Sequence, residues 1–197
     1  YGYRGFIEEY GHELKKLTAQ NVDDLHQKGG TILASSRGNQ PVEKVVDFLE
    51  KNGFNQVYAI GGDGTLKGAH HINEEIERRK LKITVVGIPK TIDNDIAFVS
   101  RSFGFETAVS KATEAVMGAH IEAKGAYNGI GIVKLMGRES GFIAAATALA
   151  SNEANFVLIP EMDFDMEGEK GFLNRLKERM ELRDHALIIA AEGAGQR

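Results

Sequence analysis

Two stretches decide how this chain is read: Ile60-Gly61-Gly62-Asp63-Gly64-Thr65 and, further along, Pro89-Lys90-Thr91-Ile92-Asp93-Asn94-Asp95. A short apolar run precedes each, Val57-Tyr58-Ala59-Ile60 before the first and Ile83-Thr84-Val85-Val86-Gly87-Ile88 before the second. Each run reads as a buried strand, and helical spacing follows each loop. Open α/β sheets bind their ligands in loops at the carboxyl ends of parallel strands. Two such loops carrying Gly, Asp, Thr and Lys point to a site for phosphate and a divalent metal.

In the first loop, Gly61, Gly62 and Gly64 allow a sharp turn and close approach of backbone to a ligand. A helix beginning near Thr65 would aim its free N–H groups at an anion held there. Asp63 adds a hard carboxylate oxygen suited to Mg²⁺ shared with phosphate oxygens. Taken alone, the stretch fits equally an Asp-Gly turn that merely joins strand to helix. It is neither a Walker A loop, since no Gly-Lys-Ser/Thr follows, nor the dinucleotide GxGxxG.

The second loop favours the ligand reading. Thr91, Asp93 and Asp95 alternate, with Lys90 beside them, so their side chains share one side if the segment stays extended. One carboxylate can then take a proton from a substrate hydroxyl while Lys90 and Mg²⁺ balance phosphate charge. Phosphoryl transfer divides its work in that way, between positioning, charge neutralisation and a base.

The remaining chain supplies the frame. Its 197 residues allow one large or two small domains, and 42% hydrophobic content supplies a core. A net charge of −4 gives no sign of nucleic-acid or membrane binding. The absence of cysteine excludes disulfides and thiolate chemistry and suits a reducing compartment. No run is long enough to span a bilayer, and no signal peptide is visible. Because the chain begins at Tyr1 rather than Met, it is expected to be a piece of a longer protein.

Residues 1–6 read as a glycine-punctuated turn, 21–26 as a short capped helix stopped by Gly29-Gly30, and Thr31-Ile32-Leu33-Ala34 as a strand. A polar loop with Arg37 follows. Pro41 opens a helix with the stripe Val42, Val45, Val46 and Leu49, ended by Gly53. The helix after the first loop runs to about residue 79. It carries His70, His71, Glu74 and Glu75 at spacings that suit a metal site, but a salt-bridged solvated face is the favoured reading.

Residues 103 to about 123 read as a long helix with a small-residue stripe. A strand at 130–135 leads into a third loop, Met136-Gly137-Arg138-Glu139-Ser140-Gly141, and then into an apolar helix, 142–150, expected to be deeply buried. Arg138 can fork onto a phosphate or pair with Glu139; spacing does not separate the two. A strand at 156–159 and a helix at 169–183, with Phe172, Leu173, Leu176 and Met180 inward, precede a final strand, 186–191, that leads into Glu192. A carboxylate at that strand end can bind sugar hydroxyls. The alternation implies an α/β fold of three layers, with mostly parallel sheets and helices on both faces.

GGDGT, PKTIDND, GFETA, KLMGRESGFIA and the late AEG together resemble the 6-phosphofructokinases, from Tyr3 to the last residues. The resemblance implies the Rossmann-like phosphofructokinase fold and transfer of a phosphoryl group to the 1-hydroxyl of fructose 6-phosphate, giving fructose 1,6-bisphosphate, with Mg²⁺. It assigns Asp63 to the metal, and Gly62, Gly64 and Thr65 to the donor-phosphate loop. Asp93 matches the general base, with Lys90, Thr91 and Asp95 beside it. Met136, Gly137 and Arg138 match the substrate loop, with Arg138 also counted among the catalytic residues, and Glu192 matches a sugar-binding glutamate. Arg37 matches an arginine near the donor phosphates and Tyr3 a nucleotide-contacting tyrosine. The implied organisation is a nucleotide- and metal-binding domain over 1–105, lacking its first βα unit, and a sugar-phosphate domain over 106–197, incomplete at its C-terminus. A cytoplasmic homo-oligomer, dimer or tetramer when full length, is expected, with no nucleic-acid or membrane partner.

Where the bacterial ATP-type pattern has an arginine from a neighbouring subunit, this chain has Gly129, so no such arginine is carried over. Pyrophosphate users in the family tend to have Asp in place of Gly64, together with Lys at position 90. The combination Gly64 with Lys90 resembles the ATP-using plant and trypanosome-like branch. ATP is therefore the expected donor, and pyrophosphate the alternative. NAD kinases and lipid kinases also carry GGDGT, but they account for neither PKTIDND nor the Met-Gly-Arg loop.

Overall fold

The computed structural model describes residues 2–38 and 40–195. The chain packs as two compact units, Tyr1–Ile88 and Pro89–Arg197. The division expected near residue 105 falls inside the second unit, where a long helix begins.

The first unit opens with 3-10 turns at Gly2–Phe6 and Glu8–Tyr10 and a one-turn helix α1 (Ala19–Val22). Helix α2 (Val42–Lys51), strand β1 (Gln56–Gly61), helix α3 (Asp63–Arg78) and most of strand β2 (Thr84–Thr91) follow. Helix α2 starts behind Pro41, and the chain turns away at Gly53, whose φ of 68° a side chain would resist. Val45, Val46 and Leu49 are fully buried and pack with Ile7, Val57, Ile72 and Ile76 as the core of this unit. Burying a side chain such as Leu49 contributes roughly 1.5–3 kcal/mol.

Strand β1 is covered on one face only. Val57, Ala59 and Gly61 are buried, whereas Tyr58 and Ile60 remain 59% and 46% exposed, so the fully buried strand expected from its apolar run is not formed here. The run Thr31-Ile32-Leu33-Ala34 is not a strand. The Leu33 N–H donates to Thr31 Oγ1 at 3.1 Å, Ala34 sits at φ 54°, and Ile32 and Leu33 are about half exposed. A strand needs a ladder in a sheet, and among the described residues this run belongs to neither sheet. The helix expected over 21–26 lies earlier. It occupies Ala19–Val22 with the Thr18 N–H and hydroxyl on Asn21 Oδ1, and it is broken by extended Asp23 and left-handed Asp24.

The second unit holds the end of β2, the two-residue strand β3 (Phe103–Gly104), helix α4 (Phe105–Gly125), strand β4 (Gly129–Leu135), helix α5 (Phe142–Ser151), strand β5 (Phe156–Leu158), helix α6 (Phe172–Arg183) and strand β6 (His185–Ala191). Its main sheet has the order β4-β6-β5 and is parallel throughout, with Gly129 opposite His185 and Phe156 opposite Ile188. Central strand β6 is contacted by α4, α5 and α6, and Ala186, Leu187, Ile188 and Ile189 are all buried. A continuous apolar run is what a parallel strand covered on both faces requires.

The small-residue stripe of α4 lets it lie directly on β4. A β-carbon at Gly129 would come 2.1 Å from the Ala123 carbonyl oxygen, and one at Gly131 2.9 Å from that of Ala119. Position 129, where the bacterial-type pattern has arginine, thus has no room for any side chain in this packing. Helix α5 is not buried all round: Ile143, Ala144 and Thr147 face the core, while Phe142 and Leu149 are 51% and 84% exposed. Helix α6 starts at Phe172, after Gly171, with Phe172, Leu176 and Met180 half-buried and Leu173 exposed. No helix among the described residues is long and apolar enough to cross a membrane.

Candidate active site

In the first unit, α3 begins two residues earlier than the sequence suggests. Gly62 is its N-cap, so Asp63, Gly64 and Thr65 form its first turn. The N–H groups of Thr65 and Leu66 both donate to the Gly62 carbonyl, at 3.0 and 3.1 Å. A glycine N-cap has no side chain to occupy the helix end, so the N–H groups of Asp63 and Gly64 and the dipole suit an external anion.

Local packing fixes this turn. A β-carbon at Gly61 would come 2.3 Å from Thr65 Oγ1, so helix and strand meet without space for one. The Tyr3 hydroxyl donates to the Thr65 carbonyl at 2.7 Å, and its ring fills the space left by Gly68. Burial raises the pKa of that phenol, which keeps it a donor. Gly64 is different: a β-carbon there would meet nothing within 4 Å, so the space beside it is open. Asp63 is exposed and pairs with Lys67 at 2.8 Å, one turn along the helix. Arg37 is also exposed; Gly2 packs against its neighbour Ser36, which brings the Tyr3 segment to the Arg37 segment.

The second unit holds the second and third loops. Strand β2 continues through Pro89, Lys90 and Thr91 because its end pairs in parallel with β3, Lys90 opposite Phe103 and Thr91 opposite Gly104. The extended alternation expected for Thr91, Asp93 and Asp95 stops there. The Asp93 N–H folds back onto Thr91 Oγ1 at 3.2 Å, and Asn94 turns left-handed at φ 54°. Asn94 Oδ1 accepts the Ser102 N–H at 2.8 Å, and the Ser102 hydroxyl donates to the Thr91 carbonyl at 2.7 Å, so the loop is closed at its base. Asp93 ends half-buried, while Lys90 and Asp95 are exposed. Burial, and then the charges of Asp95 and Glu192, raise the Asp93 pKa above the ordinary carboxylate value.

The third loop and the end of β6 meet backbone to backbone. The Glu192 N–H donates to the Leu135 carbonyl at 2.8 Å and the Gly193 N–H to the Gly137 carbonyl at 3.1 Å. A β-carbon at Gly193 would lie 1.7 Å from the Arg138 carbonyl oxygen. Gly137, at φ 126°, would place one 2.2 Å from the Ser140 carbonyl oxygen. Arg138 Nε lies 3.8 Å from Glu192 Oε1, so it is Glu192 that faces the guanidinium across the loops. Arg138 is 80% exposed, and Met136 beside it is also exposed.

Sequence reasoning missed three residues that hold this arrangement: Ser140, Asn94 and Glu161. The buried Ser140 hydroxyl donates to the Asp93 carbonyl at 2.8 Å. Glu161 accepts the N–H of Gly141, the residue that precedes α5, at 2.7 Å. Only the turn-forming type of Asn94 was visible in sequence; the partners of Ser140 and Glu161 lie 47 and 20 positions away. The His/Glu face of α3 is an ion-paired surface. Glu74 takes His70 at 3.5 Å and His71 at 3.1 Å, and Arg78 and Arg79 pull Glu75 down to about 2. No group of three or more acidic or histidine side chains suited to a metal occurs among the described residues.

Parallel strands alternating with helices define an α/β protein. The chain belongs to the phosphofructokinase family, whose pattern matches residues 1–197. It is 58% identical to the ATP-dependent 6-phosphofructokinase of Borreliella burgdorferi over all of this chain and 45% of that protein. It is 52% identical to ATP-dependent 6-phosphofructokinase 2 of Arabidopsis thaliana, over 99% of this chain and 43% of that one. The chain thus spans less than half the length of these curated relatives. Among solved structures, Pichia pastoris phosphofructokinase in the T-state superposes with a TM-score of 0.83 at 26% identity, covering 98% of this chain and 22% of that one. The pyrophosphate-dependent phosphofructokinase of Marinobacter aquaeolei gives a TM-score of 0.74 at 25% identity, covering 90% of this chain and 46% of that one.

Proposed function

We propose that the protein containing this chain is an ATP-dependent 6-phosphofructokinase, phosphorylating the 1-hydroxyl of fructose 6-phosphate. The observation that carries the reading is Asp93. It is a half-buried carboxyl of raised pKa at a parallel strand's carboxyl end, in the same unit as the Arg138–Glu192 pair. A carboxylate of raised basicity accepts a hydroxyl proton more readily, which is the task of the base in phosphoryl transfer.

In this reading Asp93 takes the proton from the 1-hydroxyl, with Thr91 orienting the Asp93 backbone and Asp95 helping to raise its pKa. Lys90 and Arg138 offset phosphate charge, Glu192 accepts sugar hydroxyls, and Met136 and Gly137 shape the substrate loop. The first turn of α3, with Gly62, Gly64 and Thr65, receives donor phosphate, supported by Tyr3 and Arg37. Asp63 suits Mg²⁺: a single exposed carboxylate beside an anion-binding helix end fits a metal that takes most of its ligands from phosphate and water. When bound, that metal would neutralise charge on the donor phosphates. Apart from the base loop at 90–95, residues 1–105 would serve nucleotide and metal, and 106–197 the sugar phosphate. A cytoplasmic homo-oligomer without nucleic-acid or membrane partners completes the proposal.

ATP is favoured over pyrophosphate as donor because Gly64 leaves the donor loop open and because the relatives above 50% identity are named as ATP-dependent. The test is a coupled assay on the full-length polypeptide with Mg²⁺ and fructose 6-phosphate, comparing ATP with pyrophosphate. Turnover with ATP is expected; turnover confined to pyrophosphate would overturn the donor, and none with either would overturn the activity.

A further inference from the structure

We propose that Ser140 is a positioning residue for Asp93, its hydroxyl tying the backbone of the base to the loop that carries Arg138. The inference rests on the functional reading above. Ser140 is only 3% exposed although it lies in a polar loop beside exposed Arg138 and Glu139. A serine so placed is held by its partners: its hydroxyl donates to the Asp93 carbonyl at 2.8 Å, and its oxygen faces the Phe142 N–H at 3.5 Å, at the head of α5.

The bond goes to the Asp93 carbonyl, the second of that residue's two backbone polar groups. The Asp93 N–H is already fixed on Thr91 Oγ1, and the following residue, Asn94, is held left-handed by its side-chain bonds to Ser102 and Ser100. The peptide between Asp93 and Asn94 is therefore gripped before and after, and Ser140 holds its oxygen. The other end of this tie is equally fixed. The Ser140 carbonyl closes against Gly137, and Gly141 is pinned to Glu161 and packed on Ile159 with no space for a β-carbon. A movement of the third loop thus reaches Asp93 through one hydrogen bond, and the loops of the base and of Arg138 keep register.

Ser140 is buried with its hydroxyl on the Asp93 carbonyl, so its effect should pass through Asp93. In the full-length polypeptide, Ser140→Ala should lower kcat about tenfold, since ångström-scale misplacement of a reacting group costs up to about a hundredfold. The KM for ATP should stay within about twofold, because the loss falls on the chemical step. Ser140→Cys, with a weak donor in the same place, should recover part of the loss. In an Asp93→Asn background, Ser140→Ala should cause no further fall in kcat, as expected for two residues acting as one unit. An unchanged kcat in Ser140→Ala, or an equal further loss in the Asp93→Asn background, would overturn the positioning role. Loss of the melting transition in both Ser140 variants would overturn it in favour of a purely structural serine. A wild type without fructose 6-phosphate-dependent turnover would instead overturn the functional reading, and this inference with it.

Discussion

Replacing Asp93 with Asn removes a charge and almost nothing else, which makes it the sharpest probe of the site. The bonds that place the residue use its backbone: N–H to Thr91 Oγ1 and carbonyl from Ser140 Oγ. Both survive in the amide, and the side-chain volume is retained. If Asp93 is the base, kcat should fall by roughly 10²–10⁴, equivalent to about 2.7–5.4 kcal/mol of transition-state stabilisation. The KM for fructose 6-phosphate should change far less.

Stability should move the other way. The folded state raises the Asp93 pKa, through burial first and then the charges of Asp95 and Glu192. Ionised Asp93 is therefore less welcome folded than unfolded, and its contribution to stability declines as pH rises from the unfolded carboxyl value, about 3.9, through the folded one. Asp93→Asn should accordingly be more stable than wild type at neutral pH, with the gain vanishing below about pH 4. Steady-state kinetics and urea denaturation at pH 7 and at the acid end measure both effects. A variant within about threefold of wild-type kcat would refute the base assignment, as measured against its expected contribution. A variant no more stable at neutral pH would refute the electrostatic account of the carboxyl.

Gly64→Asp should leave thermal stability within about 0.5 kcal/mol, since its β-carbon enters open space in a helix's first turn, yet it should shift donor preference from ATP towards pyrophosphate. Unchanged donor kinetics would sink the argument that this space belongs to the nucleotide. Gly193→Ala should destabilise by roughly 1–3 kcal/mol and raise the KM for fructose 6-phosphate, because its methyl collides with the Arg138 carbonyl; a neutral result in denaturation would show that the two loops can part. Leu49→Ala, at a position with no exposed surface, should cost about 2–5 kcal/mol in urea unfolding. An unaltered midpoint would mean that the core around α2 collapses to fill the space.

Much of the chain was legible because strand-loop-helix units are written in local periodicity. The stripe Val42, Val45, Val46 and Leu49 specified α2, and the buried run 186–189 specified a central parallel strand. The loops at 61–65 and 136–141 could be placed between strand and helix because glycines break the apolar runs there. Tertiary structure decided what depended on distant partners. Thr31–Ala34 had the composition of a strand, but it joins neither sheet, and the Leu33 N–H closes a turn on Thr31 Oγ1 instead. The alternation of Thr91, Asp93 and Asp95 was broken because Asn94 finds Ser102 and takes a left-handed conformation. Arg138 meets Glu192 rather than its neighbour Glu139 because the third loop and the end of β6 approach until only glycine fits at 193. Local sequence fixes which conformations are cheap; hydrogen bonds and backbone contacts between residues tens of positions apart choose among them, and they placed the carboxyl of Asp93.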